Sequence, residues 1–170
     1  MFKEMNNLTP FFKDNYRRIN VREYAQLIHV SPATASKILE MYHKENILKR
    51  EEDKMYIYYF ANKEERFFRE LLRTYWRQKL EKSGFLDYLR KEFAAPVVIL
   101  FGSCTKGEVG PHSDIDVAIF TPARKEFDRH PFEKKLKREL QIFTFHSRDA
   151  VKNKDLLDNI LNGYIILGAW

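Results

Sequence analysis

Hydrophobic and polar positions follow helical and strand periods in turn along this chain of 170 residues. Near the start the spacing is helical. Thr9-Pro10 reads as an N-cap and first helical position, Val21 to Ile28 repeats apolar residues every three or four places, and Ser31-Pro32 opens another helix by the same device. Two short helices thus meet at a tight turn. In the second of them Ile38, Leu39, Met41 and Tyr42 form the buried face, which leaves Ala33, Thr34, Ser36 and Lys37 outward near the helix start. The period then changes to that of strands. Ile47 to Arg50 and Met55 to Phe60 predict a hairpin whose connection is Glu51-Glu52-Asp53-Lys54.

A long amphipathic helix follows, opened by the capping-box pair Asn62 and Glu65 and marked by Phe67/Phe68, Leu71/Leu72, Tyr75/Trp76 and Leu80. Its aromatic stripe reads as a packing face between domains or subunits. Ser83-Gly84 ends it, Phe85 to Phe93 predicts a further helix, and Ala94-Ala95-Pro96 leads into a strand. Val98 to Phe101 and Ile115 to Phe120 are short, β-branched and aromatic, the pattern of buried strands. Beyond the Thr121-Pro122 break come a helix over Phe127 to Lys137, a strand over Glu139 to Phe145, a helical face of Leu156, Leu157, Ile160 and Leu161, and an apolar tail from Tyr164 to Trp170. The pattern divides the chain into residues 1–62, a connecting helical stretch over 63–93, and residues 94–170. The fold class is α+β.

Composition narrows the possibilities. A hydrophobic fraction of 44% is ample for a core, and no apolar run approaches the roughly 20 residues that span a bilayer. Met1 to Pro10 has no apolar h-region, so a cytoplasmic protein with no membrane partner is expected. Cys104 is the sole cysteine, which excludes intrachain disulfides; it reads as a small buried side chain. The histidines have no metal-ligand spacing. The net charge of +6 is spread evenly, with basic excesses of two, three and one in the three stretches. Charge alone therefore votes only weakly for a nucleic-acid partner.

The chemistry concentrates between the two buried strands. Gly102-Ser103 is followed, after ten residues, by Asp114-Ile115-Asp116. Without a Cβ, Gly102 lets a triphosphate approach the backbone, and Ser103 lies where a helix start favours negative charge. Asp114 and Asp116 are two apart on a strand, so the pleat turns both carboxylates to one face, where hard oxygen ligands suit Mg²⁺. Lys106, with Gly107, supplies a phosphate-neutralising cation, and Ser113 orients the first aspartate or caps the loop.

This Gly-Ser, ten residues, Asp-x-Asp arrangement resembles the nucleotidyltransferase superfamily of DNA polymerase β, and most closely its minimal MNT-type members. The resemblance implies that Asp114 and Asp116 bind Mg²⁺, that the Gly-Ser turn holds a nucleoside triphosphate, and that a third carboxylate on a neighbouring strand completes a two-metal site. By position Gln141 stands where that third carboxylate is expected. A neutral amide coordinates weakly and cannot act as a base. Glu139 shares the strand face of Gln141 and is the candidate replacement.

Ile28 to Leu39 resembles the recognition segment of winged helix-turn-helix regulators, and helix, helix, hairpin is the order of a winged helix. The resemblance implies binding of double-stranded DNA through Ser31, Ala33, Thr34, Ser36 and Lys37. Against it, an acidic hairpin tip repels phosphates, which Arg17, Arg18, Arg22, Lys37, Lys49 and Arg50 must offset. The expectation is a Mg²⁺-dependent transferase of NMP, AMP from ATP, to an unidentified hydroxyl, a protein acceptor included, joined to a DNA-binding domain that works as a homodimer. The alternative is a transcriptional regulator whose second domain senses nucleotide or contacts protein.

Overall fold

The computed structural model describes residues 2–122 and 125–170. They form two compact units. The first holds Met1–Leu71 with the segment Gly107–Pro111, and the second holds Leu72–Lys106 with His112–Trp170. Among the described residues no helix is long and apolar enough to cross a membrane.

In the first unit, α1 (Phe2–Asn7) and α2 (Thr9–Lys13) precede a two-residue strand β1 (Ile19–Asn20) and the helix pair α3 (Val21–Ile28) and α4 (Pro32–Lys44). The caps explain the pair. Asn20 accepts from the Glu23 amide at 3.0 Å, α3 stops at His29 in the left-handed region (φ +58°), and Ser31 accepts from the Thr34 amide at 3.2 Å. Thr9, expected to be a cap, instead donates its hydroxyl back to the Met5 carbonyl, because a helix already precedes it. β2 (Leu48–Asp53) and β3 (Tyr56–Ala61) form the hairpin, and β1 adds to β3 to give the antiparallel order β1-β3-β2.

The hairpin turn is tighter than the sequence suggests. Glu51, Glu52 and Asp53 pair with Tyr58, Ile57 and Tyr56 as strand residues, and the turn is left to Lys54, at φ +55°, and the almost fully exposed Met55. Asn62 does not cap the next helix either. It is buried and donates to the Asn46 carbonyl at 2.8 Å, and α5 (Arg66–Ser83) starts beyond it.

Asn15, 1% exposed, is a buried polar group that makes three hydrogen bonds. Its amide donates to Phe11 O at 2.6 Å, its side-chain oxygen accepts from Val109 N at 2.8 Å, and its own N–H donates to Val109 O at 2.7 Å. Asn15→Ala deletes the two side-chain bonds and leaves a buried N–H and C=O unmatched, which is expected to cost about 2–4 kcal/mol. Urea denaturation checks this; a change below about 0.5 kcal/mol contradicts the role given to Asn15.

The second unit is built on a four-stranded mixed sheet in the order β6-β5-β4-β7. β4 (Val97–Phe101) pairs antiparallel with β5 (Ile115–Phe120) and with β7 (Tyr164–Leu167), while β5 runs parallel to β6 (Leu140–Phe145). All five β4 residues are buried, as a strand covered on both faces requires. One face carries Val97, Ile99, Phe101, Ala118, Phe120 and Ile160 of α9 (Lys154–Leu161), with Phe143, Phe145, Leu156 and Leu157 against them. The aromatic rings of Phe85, Tyr88, Phe127 and Phe132 form another cluster, supplied by α6 (Phe85–Glu92), α8 (His130–Leu136) and the stretch before α8.

Two expectations change here. The helix expected over Phe127 to Lys137 is only α8, because Pro131 suits a first turn and Lys137 leaves the helix at φ +55°. The apolar tail is the edge strand β7. A mixed α+β architecture with a mixed sheet agrees with the fold class read from sequence.

Candidate active site

The motif residues converge at the ends of β4 and β5. Gly102 follows β4 at φ +68°, and its carbonyl accepts from Thr105 N at 3.1 Å, from Lys106 N at 3.3 Å and from the Thr105 hydroxyl at 3.0 Å. These bonds turn the chain into α7 (Ser103–Lys106). A Cβ on Gly102 would lie 2.1 Å from Oδ2 of Asp116. The space freed by the missing side chain, expected to admit a triphosphate, is therefore occupied by the Asp116 carboxylate. Glycine is required here by an aspartate of the same motif.

Phe101 pairs with Asp116, and Asp116 pairs with Gln141 across β5 and β6. Paired positions share a sheet face, so the Gln141 amide stands beside Asp116. Asp114 is not a strand residue: β5 begins at Ile115, and Asp114 is exposed just before it. Glu139 is likewise exposed and precedes β6; its carbonyl accepts from Ile115 N at 2.9 Å. The shared-face argument for Asp114 and for Glu139 thus gives way to the geometry of two strand lead-ins.

Electrostatics tie these residues together. Burial pushes the Asp116 carboxyl up to about 6, the nearby Asp114 charge pushes the same way, and Lys106 partly offsets both. Among the described residues neither aspartate side chain has a hydrogen-bond or ion-pair partner. A half-buried carboxylate beside a second negative charge, with two hard oxygen donors left unmatched, fits a divalent cation. Among the described residues no group of three or more His, Cys, Asp or Glu side chains is placed to hold a metal. A cation held by this pair would take its remaining ligands from neutral oxygens, the Gln141 amide among them, and from phosphate and water. Lys106 is exposed. The Ser103 hydroxyl meets the Cys104 thiol, whose burial pushes it up to about 12 and leaves it unreactive at neutral pH.

A sequence model of the family described as Nucleotidyltransferase domain matches residues 82–166. The chain belongs to that family. The matched nucleotidyltransferase segment contains Gly102, Ser103, Lys106, Ser113, Asp114, Asp116 and Gln141, covers β4, β5 and β6, and reaches all but the last residue of β7. Membership implies a nucleoside triphosphate substrate and nucleotidyl transfer as the chemistry. No curated protein matches the chain.

Outside the nucleotidyltransferase segment, Ser31, Ala33, Thr34 and Lys37 are exposed at the start of α4, whereas Ser36 is half-buried. Ser31 and Thr34 also bond each other at 2.9 Å. Of the cations expected to offset the acidic hairpin, Arg17 pairs with Glu23, Arg18 with Glu51, Lys49 with Glu64 and Arg50 with Glu52. Among the described residues Arg22 and Lys37 form no ion pair. Sequence reasoning missed the first three of these pairings because they join residues of different segments, whereas Arg50 and Glu52 lie two apart on β2. It also missed Arg138, which reaches the carbonyl of Ser113 at 2.9 Å; a single arginine before a strand carries no local signal.

Proposed function

We propose that the protein transfers NMP, AMP from ATP, to a hydroxyl of an acceptor with loss of pyrophosphate. The observation that carries this reading is the unpartnered Asp116 carboxylate seated over Gly102 with Asp114 beside it. Asp114 and Asp116 would hold Mg²⁺, which when bound polarises the phosphoryl oxygens. The Gly102-Ser103 turn lines the triphosphate, Lys106 offsets charge developing on it, and Ser113 sets the backbone before Asp114. A bound cation would further favour the ionised form of Asp116, which burial opposes. Label from α-labelled ATP, followed onto a protein hydroxyl or a small acceptor, tests the transfer.

Gln141 favours a second reading, in which the nucleotidyltransferase domain senses nucleotide and turns over slowly or not at all. Gln141→Asp puts a third carboxylate next to Asp116 and is expected to raise Mg²⁺-dependent pyrophosphate release about tenfold. An unchanged or lower rate would mean that a third carboxylate is not what limits the site.

We read residues 1–62 as a winged helix, 63–93 as connecting helices and 94–170 as the nucleotidyltransferase domain. The DNA-facing residues of the winged helix are Ser31, Ala33, Thr34, Ser36 and Lys37, aided by Arg22. With most neighbouring cations already paired, the phosphate contribution is small, so binding to double-stranded DNA is expected to be weak and to have a shallow salt dependence. A palindromic site would call for a homodimer. A transcriptional regulator and a cytoplasmic location are consistent with this reading.

A further inference from the structure

Asp114 presents a physical problem. It is exposed, lies outside the strand, and precedes the first ladder residue of β5. The β-ladder that fixes Asp116 therefore does not fix Asp114. Two bonds on either side of it do. On one side Ile115 N donates to Glu139 O at 2.9 Å. On the other, Nη1 of Arg138 donates to Ser113 O at 2.9 Å. Residues 138 and 139 are consecutive, so one short piece of chain brackets Asp114 from both neighbours.

The bracket is itself held in place. Lys137 terminates α8 in the left-handed region, and the Arg138 amide returns to Glu133 O at 3.4 Å. The guanidinium lies over the ring of Trp76 at 5.8 Å from its centre, and Trp76 is 2% exposed on α5. Tyr75 meets that ring edge-on at 5.2 Å. A planar guanidinium can rest on an aromatic face while its fork donates in the plane. A lysine has the charge but not the fork.

We infer that Arg138 is a positioning residue that sets Asp114 beside Asp116 by holding the Ser113 carbonyl. The inference rests on the reading of Asp114 and Asp116 as the metal pair. It adds that the pair is preorganised from the segment leading into β6, the strand that carries Gln141 where the family resemblance leads one to expect a third carboxylate. Outer partners that orient metal ligands commonly contribute 10- to 100-fold to affinity.

The probe is Mn²⁺ with ATP, titrated into the full chain and followed by the spin-resonance signal of free Mn²⁺, alongside thermal melting of each protein. Arg138→Met is expected to melt as a cooperative unit yet to bind Mn²⁺ about tenfold more weakly, and Arg138→Lys is expected to fall between it and the wild type. Asp114→Asn is the reference for a lost ligand. If Asp114→Asn loses Mn²⁺ while Arg138→Met and Arg138→Lys keep wild-type affinity, the positioning role is overturned and the metal pair stands. If Asp114→Asn binds as the wild type does, the metal pair itself is overturned. Should Arg138→Met fail to fold, Arg138→Lys decides alone: wild-type affinity overturns the proposal and a several-fold loss supports it.

Discussion

Replacing Asp116 by asparagine is expected to abolish Mg²⁺-dependent nucleotidyl transfer, by about 10³-fold or more, while making the metal-free protein more stable at pH 7.5. The two effects have one origin. Burial and the Asp114 charge hold the folded-state carboxyl at about 6, against roughly 3.9 for an aspartate in the unfolded chain. Between these values the folded chain binds the proton that the unfolded chain has lost. Stability therefore rises as pH falls from 7 towards 4 and is lost again as pH climbs through about 6. Asp116→Asn removes the opposing charge, so its stability is nearly flat over that window and exceeds the wild type by on the order of 1–2 kcal/mol at pH 7.5. Denaturant titrations at pH 5 and pH 7.5 measure this directly. Saturating Mg²⁺ with nucleotide is expected to reverse the order, because the cation stabilises only the ionised wild-type site. A variant less stable than wild type at pH 7.5 without metal would mean that Asp116 serves the fold.

Gly102→Ala is expected to damage site and fold together. The new Cβ would lie 2.1 Å from Asp116 Oδ2, so the carboxylate must leave its seat, and φ of +68° is strained for any side chain. We expect a loss of about 1–3 kcal/mol in stability and roughly 10²-fold in Mn²⁺ affinity. Gly168→Ala separates these effects. Gly168 has φ +74° and a Cβ there would meet Pro96 O at 2.3 Å, so a comparable destabilisation is expected with metal affinity unchanged. Equal loss of affinity in both variants would assign the effect to general loosening of the sheet.

What was legible in the sequence follows from how local each signal is. β4 is a continuous apolar run and β5 is one but for Asp116, and the Gly-Ser and Asp-x-Asp fragments are each contiguous, so their placement on facing strand ends is readable without tertiary information. The pairing of Gln141 with Asp116 follows from strand order. The short β1 and the edge strand β7 offer too few residues for a period to register, and the start of α8 is hidden because Phe127 packs against Tyr88 as a helical residue would. The need for glycine at 102 is not legible for a different cause: only the fold reveals that the neighbouring strand brings its own carboxylate into that space. The pairing of Arg17, Arg18 and Lys49 with acidic partners and the reach of Arg138 to Ser113 are likewise products of the tertiary fold.

Uptake of a cation together with a triphosphate by Asp116 and Asp114 decides the function. The most direct measurement is calorimetric titration of Mg²⁺ and ATP into the wild type and Asp116→Asn at pH 7.5, with pyrophosphate release followed in the same samples. Binding by the wild type with release of pyrophosphate, both lost in Asp116→Asn, is the predicted result. Equal binding and release by the two proteins, or no binding of nucleotide by the wild type, would contradict it.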